Sequence, residues 1–81
     1  MKKYYYHVEF TLFFLRKNKE DEQAPGSFFY SQTRKKREND ENFFKSVLES
    51  VNKKIAEFTK QSSVYKKKNL NYVKKEIFKL N

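Results

Sequence analysis

Apolar and polar positions alternate from residue 4 to residue 16. Tyr4, Tyr6, Val8, Phe10, Leu12 and Phe14 share one face, and Tyr5, His7, Glu9, Thr11, Phe13 and Leu15 share the other. A period of two in aromatic and β-branched residues is the pattern of a strand. The even face is wholly apolar and has to be covered. The odd face is polar in its middle and apolar at its ends, which fits an antiparallel sheet covered on one side only.

Residues 17–26 (KNKEDEQAPG) read as a flexible acidic loop. They hold three consecutive acids, Glu20, Asp21 and Glu22, and the only proline and glycine, adjacent at Pro25 and Gly26. Pro-Gly is a strong turn signal. Residues 27–34 then read as a second strand, with Phe28 and Tyr30 on the core face and Phe29, Ser31 and Thr33 on the other. A β-hairpin with the first strand is the simplest pairing.

The period changes after residue 40. Phe44, Val47, Leu48, Val51, Ile55 and Phe58 lie at helical spacing, predicting an amphipathic helix over about 41–59 whose apolar stripe covers the hairpin. Asn39 or Asp40 is placed to cap it, and acids in the first turn complement the helix dipole. In the tail, Leu70, Val73, Ile77 and Leu80 again show helical spacing, and Asn69 can cap. A second, basic helix over about 69–80 is the expectation. Short strands at Val64-Tyr65 and over Glu76–Leu80 are the competing reading. The fold class is α+β, with residues 1–81 forming one domain in the order strand, strand, helix, helix.

Composition narrows the chemistry. With 81 residues and no cysteine, the chain has neither a disulfide nor a thiolate metal ligand to support a small core. His7 is the only histidine, so a zinc site is not expected. Nine Phe and six Tyr supply large buried area instead. The Met1-Lys2-Lys3 start leads into an apolar stretch broken by His7, Glu9 and Thr11, unlike a secretory signal. No run is long and apolar enough to span a bilayer, and the cytoplasm is the expected location.

Charge adds a direction. The net charge is +9, from 19 Lys and Arg against 10 Asp and Glu. Residues 1–33 carry five basic and four acidic groups, whereas residues 34–81 carry fourteen and six. Such a surplus favours nucleic acid, an anionic membrane or an acidic protein. The alternative is compositional, since Lys, Asn, Phe and Tyr are all encoded by AT-rich codons. The candidate contacts for nucleic acid or an acidic partner are Arg34, Lys35, Lys36, Arg37, Lys66, Lys67, Lys68, Lys74 and Lys75. Lys66 to Lys68 also read as a solvated turn between elements, and Arg34 to Arg37 as a hydrophilic linker between strand and helix. Lysine makes point-charge contacts, and only Arg16, Arg34 and Arg37 could form guanidinium forks. Backbone binding is therefore expected over base-specific readout.

Tyr5, Phe13, Leu15 and Phe29 would be exposed if the sheet is covered on one side. Exposed rings beside cations can stack the bases of a single strand, with Tyr5, Phe13 and Phe29 the candidates, or pair two copies of the sheet. The blander reading has the tail or a curled sheet cover them.

Catalysis finds little footing. His7 and Glu9 share a strand face and could act as acid and base in RNA cleavage, with Arg34 or Arg37 on the phosphate. A lone strand histidine is more often structural. There is no glycine-rich phosphate loop, no cofactor fingerprint, and no ligand-loop spacing for calcium around Glu20–Glu22. The sequence therefore points to a small non-enzymatic basic protein that contacts nucleic-acid backbone or a nucleoprotein complex. The alternative is a protein–protein module, such as a small inhibitor or adaptor of the type carried by phages and mobile elements. A homodimer fits either. Membrane-surface binding through the tail is the weakest reading, because the few apolar residues there are needed for the core.

Overall fold

The structure, a computed structural model, describes residues 2–16, 19–61 and 69–80. It is a small α+β domain, 51 Å along its longest axis and about 20 Å across the others. The elements are β1 (Lys2–Arg16), β2 (Lys19–Arg34), α1 (Asp40–Gln61) and β3 (Asn69–Lys79). They form a sheet in the order β2-β1-β3, with β1 antiparallel to both neighbours. The chain therefore leaves the hairpin at β2, runs through α1, and returns to pair β3 with the opposite edge of β1.

The apolar face of β1 is the reason for this arrangement. Tyr6, Val8, Phe10, Leu12 and Phe14 are all buried, and Phe43, Val47, Val51 and Ile55 of α1 close over them. The flanking strands seal the sides with Ala24, Phe28 and Tyr30 from β2 and Val73 and Ile77 from β3. Among the described residues no polar or charged side chain is buried. Burying each large apolar side chain contributes about 1.5–3 kcal/mol. Five of them lie on one strand, which makes β1 the spine of the domain.

The structure corrects three sequence expectations. First, β3 replaces the expected C-terminal helix over 69–80. Val73 and Ile77 are four apart, a spacing that satisfies both helical and strand periods on one face. Strand pairing wins because the free edge of β1 supplies hydrogen bonds and places both residues beside Val8 and Leu12. Tyr72, Lys74, Glu76, Phe78 and Leu80 then fall on the other face. The competing strand at Val64-Tyr65 lies outside the described residues.

Second, β2 begins at Lys19, so most of the expected loop is strand. Pro25 pairs with Thr11 and Gly26 with Phe10. Proline is tolerated there because β2 is an edge strand, where not every N–H is needed for pairing. Gly26 serves a different purpose from a turn. A Cβ built on it would lie 2.4 Å from Cζ of Phe10, so only glycine leaves the Phe10 ring its place. Residues 17 and 18 of the expected loop lie outside the described residues.

Third, the buried helix stripe is Phe43, Val47, Val51 and Ile55, a straight run at every fourth residue. Phe44 and Phe58, expected in the stripe, are each about half exposed, at 52%. Phe58 still meets the edge of the Phe10 ring, with centroids 5.7 Å apart. The helix start is held by Asn39, whose Oδ1 accepts a hydrogen bond from the Asn42 backbone N–H at 2.7 Å. A side-chain chain ties the same end of the helix to the sheet. The Tyr30 hydroxyl donates to Gln32 Oε1, and Gln32 Nε2 donates to Ser46 Oγ at 3.0 Å.

Candidate nucleic-acid interface

Register decides where the charge collects. Lys2 pairs with Arg34 and Lys3 with Thr33, so the start of β1 lies beside the basic run that ends β2. Lys79 pairs with Tyr6 from the other side. Lys2, Lys3, Lys35, Lys36, Arg37 and Lys79 thus meet at one end of the long molecule, and all six are exposed. The Nζ atoms of Lys2 and Lys79 both sit over the Tyr4 ring, at 5.3 and 4.9 Å from its centroid. Lys3 Nζ lies 5.8 Å from the centre of the Tyr5 ring. Cation–π attraction offsets part of the repulsion between ammonium groups held this close.

Arg34 belongs to the fold rather than to this surface. Its Nε and Nη2 both donate to the Glu38 carbonyl, at 3.1 and 2.9 Å. Nη2 lies 2.6 Å from Asp40 Oδ1, and the guanidinium stacks 5.5 Å from the Phe43 ring centre. The hydrogen bond with Asp40 holds its pKa above the ordinary value, against some desolvation, and Tyr4 adds to the effect. Arg34 therefore shapes the β2–α1 connection. Lys35, Lys36 and Arg37 form the turn it anchors and point to solvent, with the Glu38 N–H closing the turn on the Lys35 carbonyl at 3.2 Å.

The other expected contacts do not join this end. Lys74 and Lys75 are adjacent on β3 and so lie on opposite faces of the sheet. Lys75 Nζ donates to Asn52 Oδ1 of the helix, whereas Lys74 Nζ lies 5.8 Å from the Phe13 ring centre on the uncovered face. Lys66, Lys67 and Lys68 lie outside the described residues.

The helix covers one face of the sheet, and among the described residues no element covers the other. Rows of side chains cross that open face from β2 through β1 to β3. Nearest the basic end are Ser31, Tyr5 and Leu80, the last tied by its N–H to the Tyr5 carbonyl at 2.9 Å. Phe29, His7 and Phe78 form the next row. His7 lies 4.9 Å from Phe29 and 6.4 Å from Phe78, ring centre to ring centre. Beyond it come Ser27, Glu9 and Glu76, then Pro25, Thr11 and Lys74, then Gln23, Phe13 and Tyr72.

Of the expected stacking residues, Phe29 is 73% and Tyr5 47% exposed, but Phe13 is buried. Tyr72 stacks flat on Phe13, with centroids 4.3 Å apart and planes 7° from parallel, so Phe13 offers no free ring face on that side. Tyr72, Phe78 and Leu80 are the exposed apolar residues that the helical reading of the tail concealed. A concavity of about 790 Å³ lies over Glu9, Thr11, Ser27, Lys74 and Glu76. Glu9 and Glu76 lie opposite one another there on neighbouring strands. His7 Nδ1 is 3.9 Å from Glu9 Oε1, a long contact between a partly buried imidazole and an exposed carboxylate.

Among the described residues no group of three potential metal ligands comes together, and no helix is long and apolar enough to cross a membrane. Comparison with protein-family models, curated proteins and solved structures finds no match for the chain.

Proposed function

We propose that this chain is a small non-enzymatic protein that binds the backbone of a nucleic acid, free or within a nucleoprotein complex. The observation that carries the reading is the convergence of Lys2, Lys3, Lys35, Lys36, Arg37 and Lys79 at one end of the domain. These residues come from three separate segments and meet only in the folded chain. Phosphates bind such a surface by displacing condensed counterions, which gives affinity without base-specific readout. Asp40 offsets little of it, because its carboxylate is engaged by Arg34.

The test is fluorescence anisotropy of labelled single-stranded DNA, duplex DNA and RNA titrated against salt. Micromolar or tighter binding near physiological salt, with log K falling steeply against log salt, supports the reading. Binding confined to low salt makes the lysines background composition and rejects it.

A second reading, a protein–protein module of inhibitor or adaptor type, is favoured by one feature. Phe29, Tyr72, Phe78, Leu15 and Leu80 expose apolar surface on a single sheet face, between two edge strands open to pairing. A pull-down that retains its partner after nuclease treatment favours this alternative.

A further inference from the structure

We infer that the nucleic acid is single-stranded and that its bases stack on Phe29 and Phe78, the exposed rings that flank His7 on the open sheet face. The inference rests on the proposed nucleic-acid function and names the form of the ligand. A cluster of lysines alone would accept duplex or single strand. Ring faces open to solvent are different, because a base can reach them only when it is unpaired and unstacked.

Four observations place the strand here. Phe29 and Phe78 flank His7 on three adjacent strands and are 73% and 43% exposed, so rings stand side by side across the whole sheet. His7 lies between them, 4.9 and 6.4 Å away ring centre to ring centre, so it fills the gap and leaves the outer surfaces of Phe29 and Phe78 as the platforms. Beside Phe29, a concavity of about 120 Å³ lined by Tyr5, Ser31 and Leu80 adds room for a flat group against the ring. On one side of the row lies the basic end, reached past Tyr5 and Lys3. On the other side Glu9 and Glu76 face each other across the strands. Those carboxylates repel phosphate, so the backbone is directed away from the large concavity and towards the lysines. Charge complementarity thus sets the path, and the rings supply the contacts that a duplex cannot make.

The exposure of Phe29 and Phe78 makes the test clean, since truncating them leaves the buried core intact. Single-stranded and duplex DNA of about 12 nucleotides, within the site sizes of small sheet-based binders, would be titrated with the full chain and with F29A, F78A and the double variant. Circular dichroism would confirm that each is folded. The expected result is tighter binding of the single strand, with a loss of about tenfold or more in each single variant and little change for duplex. F29W should retain affinity. The chain has no native tryptophan, so quenching of this one on single-strand binding would report stacking directly.

Equal affinity for both forms, unaffected by the ring variants, would overturn the inference and leave the charge-based function standing. No binding of either form at physiological salt would overturn both. If sedimentation shows a dimer that the double variant converts to monomer, with single-strand affinity unchanged, the ring row is a self-association surface and the inference fails.

Discussion

Gly26 lies directly across from Phe10, and a methyl group added to it would come 2.4 Å from the tip of the phenyl ring. The relationship explains how a 16-residue edge strand contains a Pro-Gly pair without turning. The glycine is spent on space, letting the Phe10 ring lie across the neighbouring strand, where it also meets Phe28 and Phe58 at 6.0 and 5.7 Å. G26A is therefore expected to destabilise the domain by about 1–3 kcal/mol through overpacking. Urea unfolding of G26A, F10L and the double variant checks this. The double variant should lose less than the two single losses combined, because leucine vacates part of the space the methyl needs.

The helix register makes a second prediction. Phe43 is 4% exposed against β1, with Tyr4 ring-to-ring at 5.1 Å, whereas Phe44 is 52% exposed. F43A should cost about 3–5 kcal/mol. F44A should cost about 1 kcal/mol or less, since about half of the residue is already in water. Equal losses in chemical denaturation would mean that the helix presents a different face.

Tyr6 gives the domain an alkaline limit. Burial, reinforced by Tyr4 and Tyr30, raises its pKa above the ordinary 10.0, outweighing the opposing effect of Arg34. The folded state then keeps the proton at a pH where the unfolded chain releases it. The contribution is fully present below pH 10 and is lost as pH rises through the folded-state pKa. Stability measured from neutral pH upward should fall above about pH 10, and less steeply in Y6F than in the parent. Parallel profiles for the two proteins would remove Tyr6 as a cause.

Within the run Arg34–Arg37, structure and binding separate. R34A should lower the Tm, because the Glu38 carbonyl, Asp40 and Phe43 all lose their partner. It should leave the salt dependence of nucleic-acid binding nearly unchanged. Reversing Lys36 and Arg37 to glutamate should do the opposite, keeping the Tm and reducing the log–log salt slope by about 0.7 per lost contact to a single strand. The pairing of thermal melts with salt titrations makes any exchange of these roles visible.

The fold was legible where one period dominates. Residues 4 to 14 alternate with a complete apolar face, and that face is the buried spine. The helix was legible too, but the pattern alone does not separate Phe43 from Phe44, because the two adjacent phenylalanines fit a helical period almost equally well. Two local signals misled. Pro25-Gly26 carries turn propensity that edge-strand pairing overrides, and Val73 with Ile77 fits either period until a partner edge is known. The site shows the same divide. Lys35, Lys36 and Arg37 are contiguous and were visible as a cluster. Lys2, Lys3 and Lys79 join them only through strand register, and Phe78 meets His7, on the side away from Phe29, only because the tail is a strand. Phe13 lay on the correct face, but nothing in the sequence indicates that Tyr72 stacks on it.

The central claim is that nucleic acid meets the basic end and the open sheet face. Backbone amide shifts of isotope-labelled protein, followed during titration with an unlabelled single-stranded oligonucleotide, test it most directly. The account predicts the largest changes at Lys3, Tyr5, His7, Phe29, Lys36 and Phe78, with Glu49, Lys53 and Glu57 on the outer side of the helix unmoved. Changes confined to the helix, or none at all at saturating oligonucleotide, would contradict it.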